Sequence, residues 1–182
     1  PVIRDNVFEN NQNSGAESFT FNINDDVESM VFENNTFKNQ KSSLGGFGGI
    51  INSQRSSFEV TFLNCNFIDN NQNMNGGGFQ SNTNLNKAKL TFTGCTFSNN
   101  NANGNGGGLF VNTQQETIIS NCNFNDNVAT SEGGAIYISN QKATISKCTF
   151  SQNKAANGQA IYVANTNTQL IIDQESKFIS NM

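Results

Sequence analysis

Residues Cys122-Asn123-Phe124-Asn125-Asp126-Asn127, followed after a five-residue spacer by Gly133-Gly134-Ala135-Ile136-Tyr137-Ile138, decide the fold of this 182-residue chain. The hexapeptide recurs as Cys65-Asn66-Phe67-Ile68-Asp69-Asn70, Cys95-Thr96-Phe97-Ser98-Asn99-Asn100 and Cys148-Thr149-Phe150-Ser151-Gln152-Asn153. Working outward, its phenylalanine belongs to a series of anchors, Phe8, Phe37, Phe67, Phe97, Phe124, Phe150 and Phe178, separated by 29, 30, 30, 27, 26 and 28 residues. An asparagine stands three residues after six of the seven anchors (Asn11, Asn70, Asn100, Asn127, Asn153 and Asn181), with Gln40 in the remaining copy.

The glycine element recurs too, as Gly76-Gly77-Gly78-Phe79, Gly106-Gly107-Gly108-Leu109 and a weaker Gly158-Gln159-Ala160-Ile161. Alternating apolar residues follow it, as in Ile161-Tyr162-Val163, and a third apolar segment precedes each anchor, as in Phe58-Glu59-Val60-Thr61-Phe62 and Leu90-Thr91-Phe92. The apolar period of two and the frequent Gly and Asn clusters exclude helices. The copies are shorter than a propeller blade and lack the framework of a leucine-rich repeat. The expectation is an all-β, right-handed parallel β-helix of about six or seven coils, with three short strands in each of its 26 to 30 residue repeats. Residues 1–182 read as a single domain, with 1–57 less regular than 58–182, and as a segment of a longer protein, because Pro1 is not an initiator and neither end resembles a polar cap.

Each repeated residue has a physical role in such a stack. The anchor rings fall above one another and bury a large apolar area. The asparagines sit at corners, where an amide can pair with backbone or with its counterpart in the next coil. Cys65, Cys95, Cys122 and Cys148 share the inward face with the anchors and read as small buried hydrophobes. If oxidised they allow three pairings, although parallel Cβ vectors at strand spacing fit a disulfide poorly. Ligands set along an axis do not surround a zinc ion, and the chain has no histidine. No metal or other cofactor is expected.

Paired Gly-Gly-Ala-Ile and Phe-x-x-Asn tetrapeptides, best matched at Gly133–Ile136 beside Phe124–Asn127, resemble the repeats of the chlamydial polymorphic outer-membrane proteins and related surface proteins with pectin-lyase-like β-helices. Residues 1–57 depart from the pattern: Gly48-Gly49-Ile50 is displaced by one, and no glycine pair follows Phe8. The resemblance implies a passenger region displayed outside the cell, with a role in adhesion. The Asn and Gln enrichment is also similar to that of large ciliate surface proteins carrying such repeats.

Composition bounds the function. A net charge of −4 and ten scattered cationic residues argue against a grip on nucleic acid or anionic membrane. No apolar run is long enough to insert in a bilayer. The low charge and regular placement of Asn beside Phe and Ile argue for an ordered array over a disordered or prion-like tract. The glycines precede neither a Lys-Ser or Lys-Thr pair nor a helix, so they do not form a phosphate loop. Catalytic Ser-His and Cys-His pairs need a histidine.

Two candidates for catalysis deserve naming. Asp69 and Asp126 share a column two residues after the anchor and lie two coils apart, near the outer limit of carboxylate separation for an inverting glycosidase. Asp25, Asp26 and Glu28 form the only acidic run, without the partner column that a calcium-dependent lyase needs. Coil length varies mainly in 52–57 and 80–88, so loops project from one edge, where Arg55, Lys87 and Lys89 can meet a partner. Tyr137 and Tyr162 point outward on adjacent coils, as a sugar-stacking pair would. The expected function is a structural or adhesive module, extracellular or at the cell surface. Its expected partners are other segments of the same protein, neighbouring chains or surface glycans. The competing reading is a carbohydrate-active or glycan-binding β-helix.

Overall fold

A computed structural model describes residues 1–13, 19–22, 27–42, 49–52, 57–81 and 87–182. Every strand pairing in it is parallel and joins equivalent positions of successive repeats. The first sheet has seven strands: Val2–Arg4, Ser29–Glu33, Phe58–Leu63, Ala88–Thr93, Thr117–Ser120, Lys142–Ser146 and Gln169–Ile172. The second also has seven, each centred on an anchor: Val7–Glu9, Thr36–Lys38, Asn66–Ile68, Thr96–Ser98, Asn123–Asn125, Thr149–Ser151 and Lys177–Ile179. A four-stranded sheet follows the glycines: Phe79–Gln80, Leu109–Val111, Ile136–Ile138 and Ile161–Val163. Phe19–Asn22 and Gly49–Asn52 pair separately near the N-terminal end.

The coil carries one strand more than the three expected. Immediately after each corner residue the backbone pairs again over two residues, in a five-stranded sheet of Gln12–Asn13, Lys41–Ser42, Asn71–Gln72, Asn101–Ala102 and Val128–Ala129. Two residues, mostly polar, give no alternation to read, so only the pairing reveals this strand.

In the middle coils, alternation puts one face of each strand of the first and second sheets inside. In Ala88–Thr93, residues 88, 90 and 92 are buried while 89, 91 and 93 are not. All seven anchors are in register, from Phe8 opposite Phe37 to Phe150 opposite Phe178. Their rings are stacked, with centroids 4.6–5.0 Å apart. A second stack, Phe32, Phe62 and Phe92, comes from the first sheet and meets the anchors edge-on, as in Phe62–Phe67 at 5.5 Å. Each such pair adds about 0.5–1.5 kcal/mol beyond area burial. Phe178, in the last strand of its sheet, is stacked on one side and is 50% exposed.

Corners require a backbone reversal that β geometry cannot supply, and one residue in the left-handed region supplies it. Between the first and second sheets that residue is Asp5, Asn34, Asn64, Gly94, Asn121 or Lys147, with φ from 52° to 66°. At the corner that follows the second sheet, leading toward the five-stranded sheet, it is Asn10, Asn39, Asp69, Asn99, Asp126, Gln152 or Ser180, with φ from 49° to 58°. Asn and Asp are among the few side chains that tolerate this conformation.

Candidate functional site

After most of these left-handed corner residues, a polar or sulfur side chain turns inward and bonds to the coils next to it. Asn100 Nδ2 donates to the Phe67 carbonyl at 2.9 Å and to Asn127 Oδ1 at 2.9 Å, while Asn127 Oδ1 also accepts from the Asn100 backbone N–H. The same bonds link Asn70 to Asn100, Asn127 to Asn153 and Asn153 to Asn181. Gln40 fills its place in this ladder through Nε2, which donates to the Phe8 carbonyl at 2.7 Å. Asn11 stands at the foot of the column, its carbonyl accepting from the Lys41 N–H.

The cysteines form the corresponding ladder at the other corner, a correspondence not apparent from composition. Asn6 and Asn35 precede Cys65 in the same position relative to the anchor, and Ser176 follows Cys148. Asn35 Nδ2 donates to the Ile3 carbonyl at 2.7 Å. In its place the Cys95 thiol lies 3.4 Å from the Phe62 carbonyl, and the Cys122 sulfur accepts the Cys95 N–H at 3.3 Å. All four cysteines are free thiols with no exposed surface. Hydrogen bonding with flanking thiols, then burial, pushes Cys65 and Cys122 up. Aligning Asn35-Thr36-Phe37 with Cys65-Asn66-Phe67 is the sequence signal that would have joined the Asn and Cys columns.

Asp69 and Asp126 occupy left-handed corner positions, with Asn99 between them. Asp69 is exposed and its N–H donates to the Ser98 carbonyl; Asp126 accepts from Asn125 Nδ2 at 2.5 Å. Backbone geometry thus accounts for an Asp at either place. Asp25, Asp26 and Arg55 lie outside the described residues, as does most of the 52–57 and 80–88 loops; Glu28 and Lys87 are exposed, and Lys89 pairs with Glu59 at 3.8 Å. That pair extends into an alternating column, because Glu116 follows Lys89 in register and pairs with Lys142 at 2.8 Å.

Tyr137 and Tyr162 are stacked on each other at 5.7 Å, and Phe110 continues the stack below Tyr137 at 4.8 Å. Tyr137 therefore gives both ring faces to neighbours, and a sugar can cover only the outer face of Tyr162. Glu132, not singled out by its sequence position, sits beside them. Hydrogen bonding to its carboxylate pushes the Tyr162 phenol up, and burial, then the same charge, raises Tyr137. Among the described residues no cluster of three or more His, Cys, Asp and Glu side chains surrounds a point as a metal cage would, and no helix is long and apolar enough to cross a membrane.

Comparison with known proteins agrees with this architecture. No curated protein and no solved structure gives a match. The family described as the right-handed β-helix region matches residues 50–176, well over half of the chain, and spans the strands in which the Phe, Cys and Asn columns are most regular. The chain belongs to the right-handed β-helix family.

Proposed function

We propose that this β-helix is a structural and adhesive module of a surface-displayed protein, which binds neighbouring protein segments or chains and performs no catalysis. The observation that carries the reading is the use made of its repeated polar groups. The corner amides and thiols that recur in every coil are committed to coil-to-coil bonds, and the two aspartates proposed for catalysis occupy backbone-determined corners. The likeness of the Gly-Gly-Ala-Ile and Phe-x-x-Asn tetrapeptides to polymorphic outer-membrane protein repeats supports placement outside the cell and adhesion.

Glycan binding is the second reading, favoured by the outer face of Tyr162 and by the Glu132 carboxylate, which pushes its phenol up. Acidic and neutral polysaccharides offered to the protein distinguish the readings. The expected result is no cleavage, and no change in folding stability beyond about 0.5 kcal/mol in the variant D69N/D126N, since asparagine already serves this corner at Asn99. A hydrolytic or lyase activity that disappears in D69N/D126N would sink the module reading. Retention on a glycan that is lost in Tyr162→Ala alone would establish the second.

A further inference from the structure

The column of four thiols has a geometry that its hydrogen-bonding role does not exhaust. Cys65, Cys95, Cys122 and Cys148 stand in four successive coils, two residues before anchors that are paired in register. Every one is free and fully buried. Oxygen donors bound the sulfur run: Asn35 precedes Cys65, and the Ser176 hydroxyl accepts the Cys148 N–H at 3.2 Å.

Ligands strung along an axis cannot make the tetrahedron that zinc requires, but they are what a two-coordinate ion requires. A metal–thiolate bond of about 2.3 Å on either side of an ion spans about 4.6 Å. Neighbouring parallel strands lie about 4.8 Å apart. Soft thiolates select soft ions such as Cu(I). Backbone N–H groups already point at two of the sulfurs, Cys95 N–H at Cys122 Sγ (3.3 Å) and Cys122 N–H at Cys148 Sγ (3.5 Å), and would stabilise thiolate charge.

We propose that the Cys65–Cys95–Cys122–Cys148 column is a linear binding site for soft monovalent cations of the Cu(I) and Ag(I) class, each ion held between the sulfurs of two successive coils. Four sulfurs enclose three gaps. Filling all three with monovalent ions releases three thiol protons if the column is left neutral, or four if it is left with one negative charge. Because protons are released, uptake strengthens as pH rises. Neither the fold nor the module reading depends on this site.

The test uses Ag(I), which undergoes no redox change, added under anaerobic conditions both to the folded protein and during refolding from urea, with Zn(II) in parallel. Native mass spectrometry counts bound ions, and circular dichroism follows the β signal through a thermal melt. The expected result is three silver ions per chain, an unchanged β signal, a raised Tm and no comparable zinc uptake. The variant C95S/C122S leaves no two adjacent cysteines, yet serine already fills this column at Ser176, so the variant is expected to fold and to bind no silver. The proposal is overturned by equal silver uptake in the folded variant, by uptake only with loss of the β signal, by zinc binding as well as silver, or by no silver uptake in either protocol.

Discussion

Asn127 commits one side-chain amide to four hydrogen bonds: Nδ2 donates to the Phe97 carbonyl and Asn153 Oδ1, and Oδ1 accepts from the Asn100 backbone and side chain. Because the residue is fully buried, truncation leaves partners on both neighbouring coils without water to replace it. Asn127→Ala is expected to cost about 3 kcal/mol or more, visible as a lower urea midpoint with little change in slope. Gly134 is constrained by contact in place of bonding. A Cβ there would overlap the Gln159 carbonyl oxygen and lie 2.7 Å from the Lys154 backbone nitrogen, both on the next coil. Since neither atom belongs to a side chain that can swing away, Gly134→Ala is expected to destabilise by more than 2 kcal/mol in the same measurement, although alanine ordinarily improves on glycine. The neighbouring Gly133 has a different reason to be glycine, its φ of 69°.

At the scale of the strand, register is set inside by matched Phe rings and outside by charge. Glu59, Lys89, Glu116 and Lys142 alternate in sign up the leading edge of the first sheet, with ion pairs at 3.8 Å and 2.8 Å. Lys89→Glu puts three carboxylates in a row and is expected to cost about 0.5–1 kcal/mol, with the difference from wild type shrinking in high salt. Lys142 holds the Glu116 carboxyl below its ordinary range. A carboxyl with a depressed folded-state value contributes stability above its unfolded-state value and loses it as pH falls through the folded one. Denaturation followed against pH should therefore show this link present above the ordinary carboxylate range and lost below it. A Lys142→Met variant should lack that component.

The whole molecule is a one-dimensional object, in which each coil bonds mainly to the coils beside it. Its stability should then be close to a sum over coils and their interfaces. Deleting residues 97–123 removes one 27-residue repeat and joins Thr96 to Phe124, preserving the order strand, anchor, corner asparagine. The shortened chain is expected to fold with the same β circular dichroism, to lose stability by roughly one repeat's share, and to shorten by about 4.8 Å in solution scattering. Collapse of the β signal would show that the coils do not act as independent increments.

The amino-acid sequence by itself determined the parallel solenoid and the placing of its anchor, cysteine and asparagine columns, because repeats of nearly constant length bring equivalent residues together whatever the coil's exact shape. Phe67 and Phe97 had to meet once their repeats stacked. What lay between columns was decided only by tertiary structure. The two-residue strands such as Asn101–Ala102 have no pattern of their own and exist through pairing. The left-handed φ of Asp69 and Asp126, which turns two candidate acids into corner residues, is imposed by the change of direction between sheets. Likewise, Tyr137 and Tyr162 point outward as their alternation requires, yet it is the coil spacing that closes their rings on each other and on Phe110, and brings Glu132 alongside.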